Sequence, residues 1–225
     1  MNIPSLSPRS VRLRCSLLLL LVPAASIPAM AAADFAECFV LKPGVSWSNG
    51  QYSFSTATAS FGGKPSMVAI THGDGVRTAE YFDPSGRVLL AEIQYGIAGF
   101  GGDPAKAAIT DEYDAMPTFP QRAKPGEQFH RSGKGVRFLA SEPGEAPEAI
   151  EYRGMSNFTF VGFVDLEATV NGVPRTFANT CHLKAQDAQH TMEYWYAPGY
   201  GPVRKRAFSN GTRLFDDTIR RITEE

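Results

Sequence analysis

Phe158–Lys184 reads FTFVGFVDLEATV-NG-VPRTFANTCHLK, two strand-like runs joined by Asn171-Gly172. Asn-Gly is a strong two-residue hairpin signal because both positions accept positive φ. Phe158–Val170 is therefore expected to fold back on Val173–Lys184. The same dipeptide recurs at Asn49-Gly50 and Asn210-Gly211. It pairs Val45–Ser48 with Gln51–Phe61, and Pro202–Ser209 with Thr212–Ile222. Between these hairpins, Ser66–His72, Val76–Phe82 and Val88–Tyr95 read as further strands. The turns joining them are His72-Gly73-Asp74-Gly75 and Asp83-Pro84-Ser85-Gly86. Short strands joined by tight turns imply a mainly β fold, an antiparallel meander curved into a half-barrel or a sandwich.

Side-chain alternation is legible in two of these runs. In Gln189–Ala197, His190, Met192, Tyr194 and Tyr196 share one face, and Thr191, Glu193 and Trp195 the other. In Val76–Phe82, Val76, Thr78, Glu80 and Phe82 oppose Arg77, Ala79 and Tyr81. The pattern breaks between Ile97 and Gly135, a Gly-, Pro- and charge-rich insertion. One short helix is expected inside it. Asp103 can cap, Pro104 suits the first helical position, and Ile109, Tyr113 and Met116 recur at i, i+4 and i+7. With the apolar Ile97–Phe100, this helix is expected to lie on the sheet or across a cavity mouth, as a plug or lid. Ser141–Ala149 reads as a second polar, Pro/Gly-rich loop.

The amino-terminal end has a different character. Arg9, Arg12 and Arg14 precede the apolar run from Cys15 to Val22, and Ala29-Met30-Ala31 and Ala31-Ala32-Ala33 offer cleavage sites. Residues 1–33 thus read as a cleaved secretory signal peptide, and 34–225 as a single β-rich domain exported to the periplasm or the exterior. The apolar run is too short for a stable membrane span. Without the signal the chain has 19 basic and 23 acidic residues, a net charge of −4. Such a surface gives no electrostatic reason to expect nucleic acid as a partner. The mature chain keeps Cys38 and Cys181, and in an oxidising compartment their one pairing is a structural disulfide. The chain-entropy model gives such a long-loop link about 5 kcal/mol.

No catalytic constellation emerges. His72, His130, His182 and His190 form no H-E-x-x-H or H-x-H pattern. His182 and His190 can approach across a hairpin near Gln186–Ala188, but no third metal ligand accompanies them. Gly154-Met155-Ser156-Asn157-Phe158 begins like a nucleophile elbow and lacks its last glycine. The adjacent acids Asp111-Glu112 and Asp216-Asp217 read as solvated surface. Arg204-Lys205-Arg206 reads as a basic patch guarding an edge strand. No motif calls for a cofactor.

The most distinctive stretch is Glu193–Lys205, EYWYAPGYGPVRK. Its W-Y-A-P-G-x-G-x-V core resembles a late hairpin signature of uncharacterised bacterial secreted and periplasmic envelope proteins. Val173–Leu183 is similar to the strand that precedes it there, with Arg175-Thr176-Phe177 where those proteins have a Gly before the Thr. The resemblance covers about the last third of the chain. In strand layout such proteins resemble the half-barrels of lipoprotein carriers, which implies a concave apolar face and a hydrophobic or lipid-like ligand. Tyr194, Trp195 and Tyr196 on the hairpin, with Ile109, Tyr113 and Met116 on the expected helix, are the candidate contacts. The expectation is a non-enzymatic binding module of the cell envelope. Its rivals are an envelope interaction protein that docks through a strand edge and a hydrolase with an unrecognised site.

Overall fold

The computed structural model describes residues 34–225 apart from 74, 98–101, 104, 118, 141–145, 147, 154–156 and 187–188. The expected signal peptide, residues 1–33, lies outside the described residues, as do all of the Ile97–Phe100 run after Ile97 and Gly154–Ser156. A 3-10 turn, η1 (Phe35–Phe39), leads into β1 (Val45–Ser48), β2 (Ser53–Phe61), β3 (Lys64–Gly73), β4 (Val76–Phe82) and β5 (Val88–Tyr95). The chain continues through β6 (Ala107–Pro117), β7 (Gln128–Phe129), β8 (Ser132–Leu139), β9 (Glu148–Arg153) and β10 (Asn157–Val170). It ends in β11 (Val173–Gln186), β12 (His190–Ala197), β13 (Gly201–Ser209), β14 (Thr212–Thr218) and β15 (Arg221–Glu224).

These strands form two antiparallel sheets, neither closed into a barrel. The first has nine strands in the order β15-β1-β2-β3-β4-β5-β6-β8-β9, and the second six in the order β14-β13-β12-β11-β10-β7. The three expected hairpins form. At Asn171-Gly172 and Asn210-Gly211 both residues have positive φ, 53° and 80° in the first and 47° and 80° in the second. That is the backbone of a type I′ turn, whose twist matches the flanking strands. Asn49-Gly50 turns differently. Only Gly50 has positive φ, and the Asn49 Oδ1 accepts the N–H groups of Gln51 and Tyr52 at 2.9 and 2.7 Å.

Two expectations require correction. The helix over Ile109, Tyr113 and Met116 does not form, since those residues belong to strand β6 between β5 and β8. β6 has register shifts opposite Leu89–Ala91 and Gln94–Tyr95. Bulges of this kind add residues to a strand and break its period of two. Apolar residues then fall at a spacing that imitates a helix. Thr212–Ile222 is not one strand either. It breaks at Ile219-Arg220, and Arg221–Glu224 crosses to the first sheet to pair with β1.

The β10–β11 hairpin is bent by register shifts at Phe160/Gly162 and Val164/Leu166. At the second, Asn179 takes φ 53° and donates its N–H to Asp165 Oδ1 at 2.9 Å. The bend divides the hairpin between two hydrophobic clusters. Leu166, Val170 and Phe177 join a cluster that draws on both sheets through Trp47, Phe54, Met67, Phe82, Leu89, Tyr113 and Val203. Phe160, Cys181 and Leu183 join Phe35, Cys38 and Phe39 in the other, with Phe119, Phe129, Phe158, Tyr194 and Tyr196 packed against it. Burying a side chain such as Phe160 or Leu183 contributes about 1.5–3 kcal/mol. Cys38 and Cys181 form a disulfide, with Cα atoms 5.9 Å apart, that ties η1 to β11.

Candidate functional site

Directly opposed residues in a sheet share a face, so the registers place side chains without ambiguity. In the second sheet one row runs Phe160, Leu183, Tyr194, Lys205, Asp217. In the first sheet another runs Ala69, Glu80, Glu92, Asp111, Arg137, Glu148. The two rows meet at a cavity of about 140 Å³. Phe54, Ala69, Thr71, Glu80 and Phe82 line it from the first sheet, and Tyr196, Gly201, Pro202 and Lys205 from the second. Phe39 and Leu41, which precede β1, Gly86 from the β4–β5 turn, and Phe119 and Arg131 from the insertion complete the wall. Gly201 is required here. It has φ 70°, and a Cβ would come within 3.1 Å of the Phe54 ring.

The charged side chains at this cavity, Glu80, Arg131 and Lys205, are half-buried. Burial pushes the Glu80 carboxyl above its ordinary range, with Arg131 and Lys205 pulling it down and Glu92 pushing it further up. Burial likewise lowers the Lys205 ammonium, against the opposing pull of Glu80 and Asp217. The Tyr196 phenol is raised by burial and by the neighbouring Tyr194. Each shift favours the neutral form, as desolvation requires. An acid and an amine in a small, largely apolar space make a polar end for a ligand.

A second, more apolar cavity of about 290 Å³ lies alongside, lined by Ala36, Phe39, Arg87, Val88, Phe119, Pro120 and Gln121. Phe39 and Phe119 belong to both, and their rings stack at 3.9 Å between centroids with a 21° interplanar angle. The stack is the shared wall. A larger recess of about 680 Å³ sits near His72, Arg220 and Arg221, but it is an open polar groove between turn ends.

The sequence candidates separate. Tyr196 lines the cavity, and Tyr194 lies on the same face of β12. Trp195 points the other way. Its ring stacks on the His182 imidazole at 4.3 Å, and the Arg204 and Arg206 guanidinium groups stand over it at 4.8 and 5.3 Å. Arg204 makes two 2.8 Å hydrogen bonds to Asp216, and Arg206 pairs with Glu193. Burial lowers the pKa of His182, whose Nε2 lies 4.0 Å from Glu193. Tyr113 is buried in the main core, and Ile109 lies opposite Gln94 and Leu139 in the ladder, so neither lines the cavity. Met116 stands opposite Leu89 in the ladder, its side chain being outside what is described.

Three other readings also change. His182 and His190 do not meet, because His182 is opposite Trp195 and His190 opposite Ser209. Asp111 is buried rather than solvated, held by Arg137 through two 2.7 Å hydrogen bonds. Arg204-Lys205-Arg206 guards no edge, since β14 covers β13. Glu80, Lys205, Arg131, Phe39 and Phe119 were not candidates in the sequence. For Glu80 a signal existed: it shares its face of β4 with Phe82, and a charge on a core-bearing face calls for a reason. Among the described residues no three His, Cys, Asp or Glu side chains group as metal ligands, and no helix is long and apolar enough to cross a membrane. Compared with protein-family models, curated proteins and solved structures, the chain matches none.

Proposed function

We propose that the protein is an exported binding module that holds a small amphipathic ligand between its two sheets without transforming it. In this reading the sheets face each other as a sandwich around the cavity. The observation that carries it is the cavity itself, lined in part by aromatic rings and charged at Glu80, Arg131 and Lys205. Its volume, about 140 Å³, is close to the roughly 150 Å³ of an apolar cavity that accepts benzene. A single ring or a short chain fits, and a full lipid tail does not unless the Phe39–Phe119 wall opens. Export is supported by the signal-like residues 1–33 and by the Cys38–Cys181 disulfide.

The test is ligand-observed NMR of the mature protein with benzyl alcohol, hexanol and hexanoate, alongside mass spectrometry of small molecules carried through purification. Binding by wild type and its loss in Ala69→Met, which fills the cavity, is the expected result. A folded wild-type protein that binds none of them overturns the reading. The rival reading is an envelope protein that docks by a strand edge. It has in its favour β14, an edge of the second sheet on which Leu214 is 59% exposed.

A further inference from the structure

Lys205 is the one lysine among the lining residues of the inner cavity, and its surroundings are unlike those of an ordinary surface ammonium. Its flanking residues Arg204 and Arg206 occupy the opposite face of β13, each engaged with a carboxylate. Among the described residues no carboxylate oxygen lies within 4.0 Å of Lys205. The titratable groups that face it are Glu80 from the first sheet and Asp217 from the adjacent strand, with Tyr194 beside it in the row. Arg131 and Tyr196 share the cavity wall. Phe54, Phe82 and Phe119 supply apolar surface around the amine.

We infer that Lys205 is a capture site for small carbonyl compounds, aldehydes or ketones bearing one ring or a short chain, which it holds reversibly as an imine. The inference rests on the cavity being a ligand site and adds a covalent step to it. The neutral amine attacks the carbonyl carbon, forming a C–N bond while a proton passes from nitrogen to oxygen. The carbinolamine then loses its hydroxyl as water, the Glu80 carboxyl giving the proton and the resulting carboxylate taking one back from the nitrogen. Amine plus carbonyl gives imine plus water, with no change of oxidation state. Hydrolysis by the reverse path releases the ligand. Burial supports both roles, since it disfavours the ammonium of Lys205 and the carboxylate of Glu80. Amines desolvated in apolar pockets are activated for this chemistry.

The experiment treats the mature protein with butanal and sodium cyanoborohydride at pH 7 and maps the alkylated lysines by peptide mass spectrometry. Lys64, Lys106 and Lys134, all exposed, serve as the reference for labelling that follows accessibility. Lys205 is expected to be alkylated faster than these despite its lower exposure, because burial in the cavity wall favours the free amine. Hexanol, which fits the cavity and has no carbonyl, should slow labelling at Lys205 alone. Glu80→Gln should slow it further and flatten the dependence of its rate on pH, which a purely structural role would leave in place. Labelling that simply follows exposure, with Lys205 slowest, overturns the inference. If benzyl alcohol binds while Lys205 resists alkylation, capture fails and the binding reading stands. If neither occurs, both fail. Mapping is done on wild type, so no result depends on a Lys205 variant folding.

Discussion

Arg204, Lys205 and Arg206 follow one another on β13, and the strand delivers them to two environments. Arg204 and Arg206 lie over Trp195 in a layer of stacked rings and ion pairs, half-buried and fully partnered. Lys205 faces a cavity, where Glu80 and Asp217 act on its charge without forming an ion pair among the described residues. Strand alternation alone divides them. A run that reads as one basic patch is thus two unrelated devices, a half-buried layer of ion pairs that stabilises and a cavity-facing amine that is held at a cost. The same alternation sends Tyr194 and Tyr196 to one face of β12 and Trp195, which is also buried, to the other.

The comparison can be broken first on its inner side. The Cys38–Cys181 disulfide fixes η1, and with it Phe39, against β11. Cys181→Ala is expected to lower stability by about 2–5 kcal/mol, read from urea unfolding under oxidising conditions. The cavity-facing amine should then lose its wall and its selective labelling together. Unchanged urea midpoints would show that η1 is held by packing alone.

Next comes the contrast between neighbours. Arg204→Met leaves Asp216 half-buried without its two hydrogen bonds, and should cost about 1–2 kcal/mol. Lys205→Met removes a buried ammonium and keeps the stem's apolar bulk. It should leave stability unchanged or raise it. Equal losses in the two variants, measured by the same denaturation, would erase the distinction between the faces.

The pH dependence of stability sharpens it further. Burial raises the Glu80 pKa above the ordinary 4.5, so between 4.5 and the folded value the folded state holds a proton that the unfolded chain has lost. Stability from this group therefore falls as pH rises through that window, and Glu80→Gln should remove the fall. Asp216 behaves oppositely. The hydrogen bonds from Arg204 hold it below the ordinary 3.8, so its contribution is present above 3.8 and is lost as pH falls through the folded value. Asp216→Asn should abolish that acid-side loss. Urea midpoints from roughly pH 3 to 8 separate the two. The smallest effect belongs to Trp195→Phe, which keeps a ring between His182 and the arginines. It should cost no more than about 1 kcal/mol and leave benzyl alcohol binding as it is. A lost NMR binding signal would tie the outer layer to the cavity.

The hairpins were legible because turn chemistry is local. Asn171-Gly172 and Asn210-Gly211 state their backbone conformation in two letters, and β1, β4 and β5 keep the bounds read from sequence. β6 was not legible as a strand, because its register shifts replaced alternation with a helix-like spacing over Ile109, Tyr113 and Met116. Of the candidate contacts whose side chains are described, Tyr196 alone reaches the cavity, by the alternation already visible in Gln189–Ala197. Glu80 and Lys205 escaped because the cavity exists only once two sheets distant in sequence come together. Nothing local to either strand says which face meets which. Phe119 and Arg131 escaped for a related reason: they sit in the irregular stretch after β6, where no periodicity assigns a face.

The passage through Ile219 and Arg220, which carries the chain from one sheet to the other, also has a consequence in time. β1 stands near the start of the domain, yet it gains its second neighbour only from residues 221–224. Until those residues exist and have found it, one side of β1 offers unpaired N–H and C=O groups to any extended chain nearby. Closing a loop that spans nearly the whole domain is slow, as for other folds built on distant strand pairs. Cys38 waits in the same way for Cys181, so a nascent molecule carries an open edge and an unspent thiol side by side. Yield during biosynthesis is then a race between self-completion and capture by neighbours. A molecule well settled once finished can still be scarce because of how it is assembled.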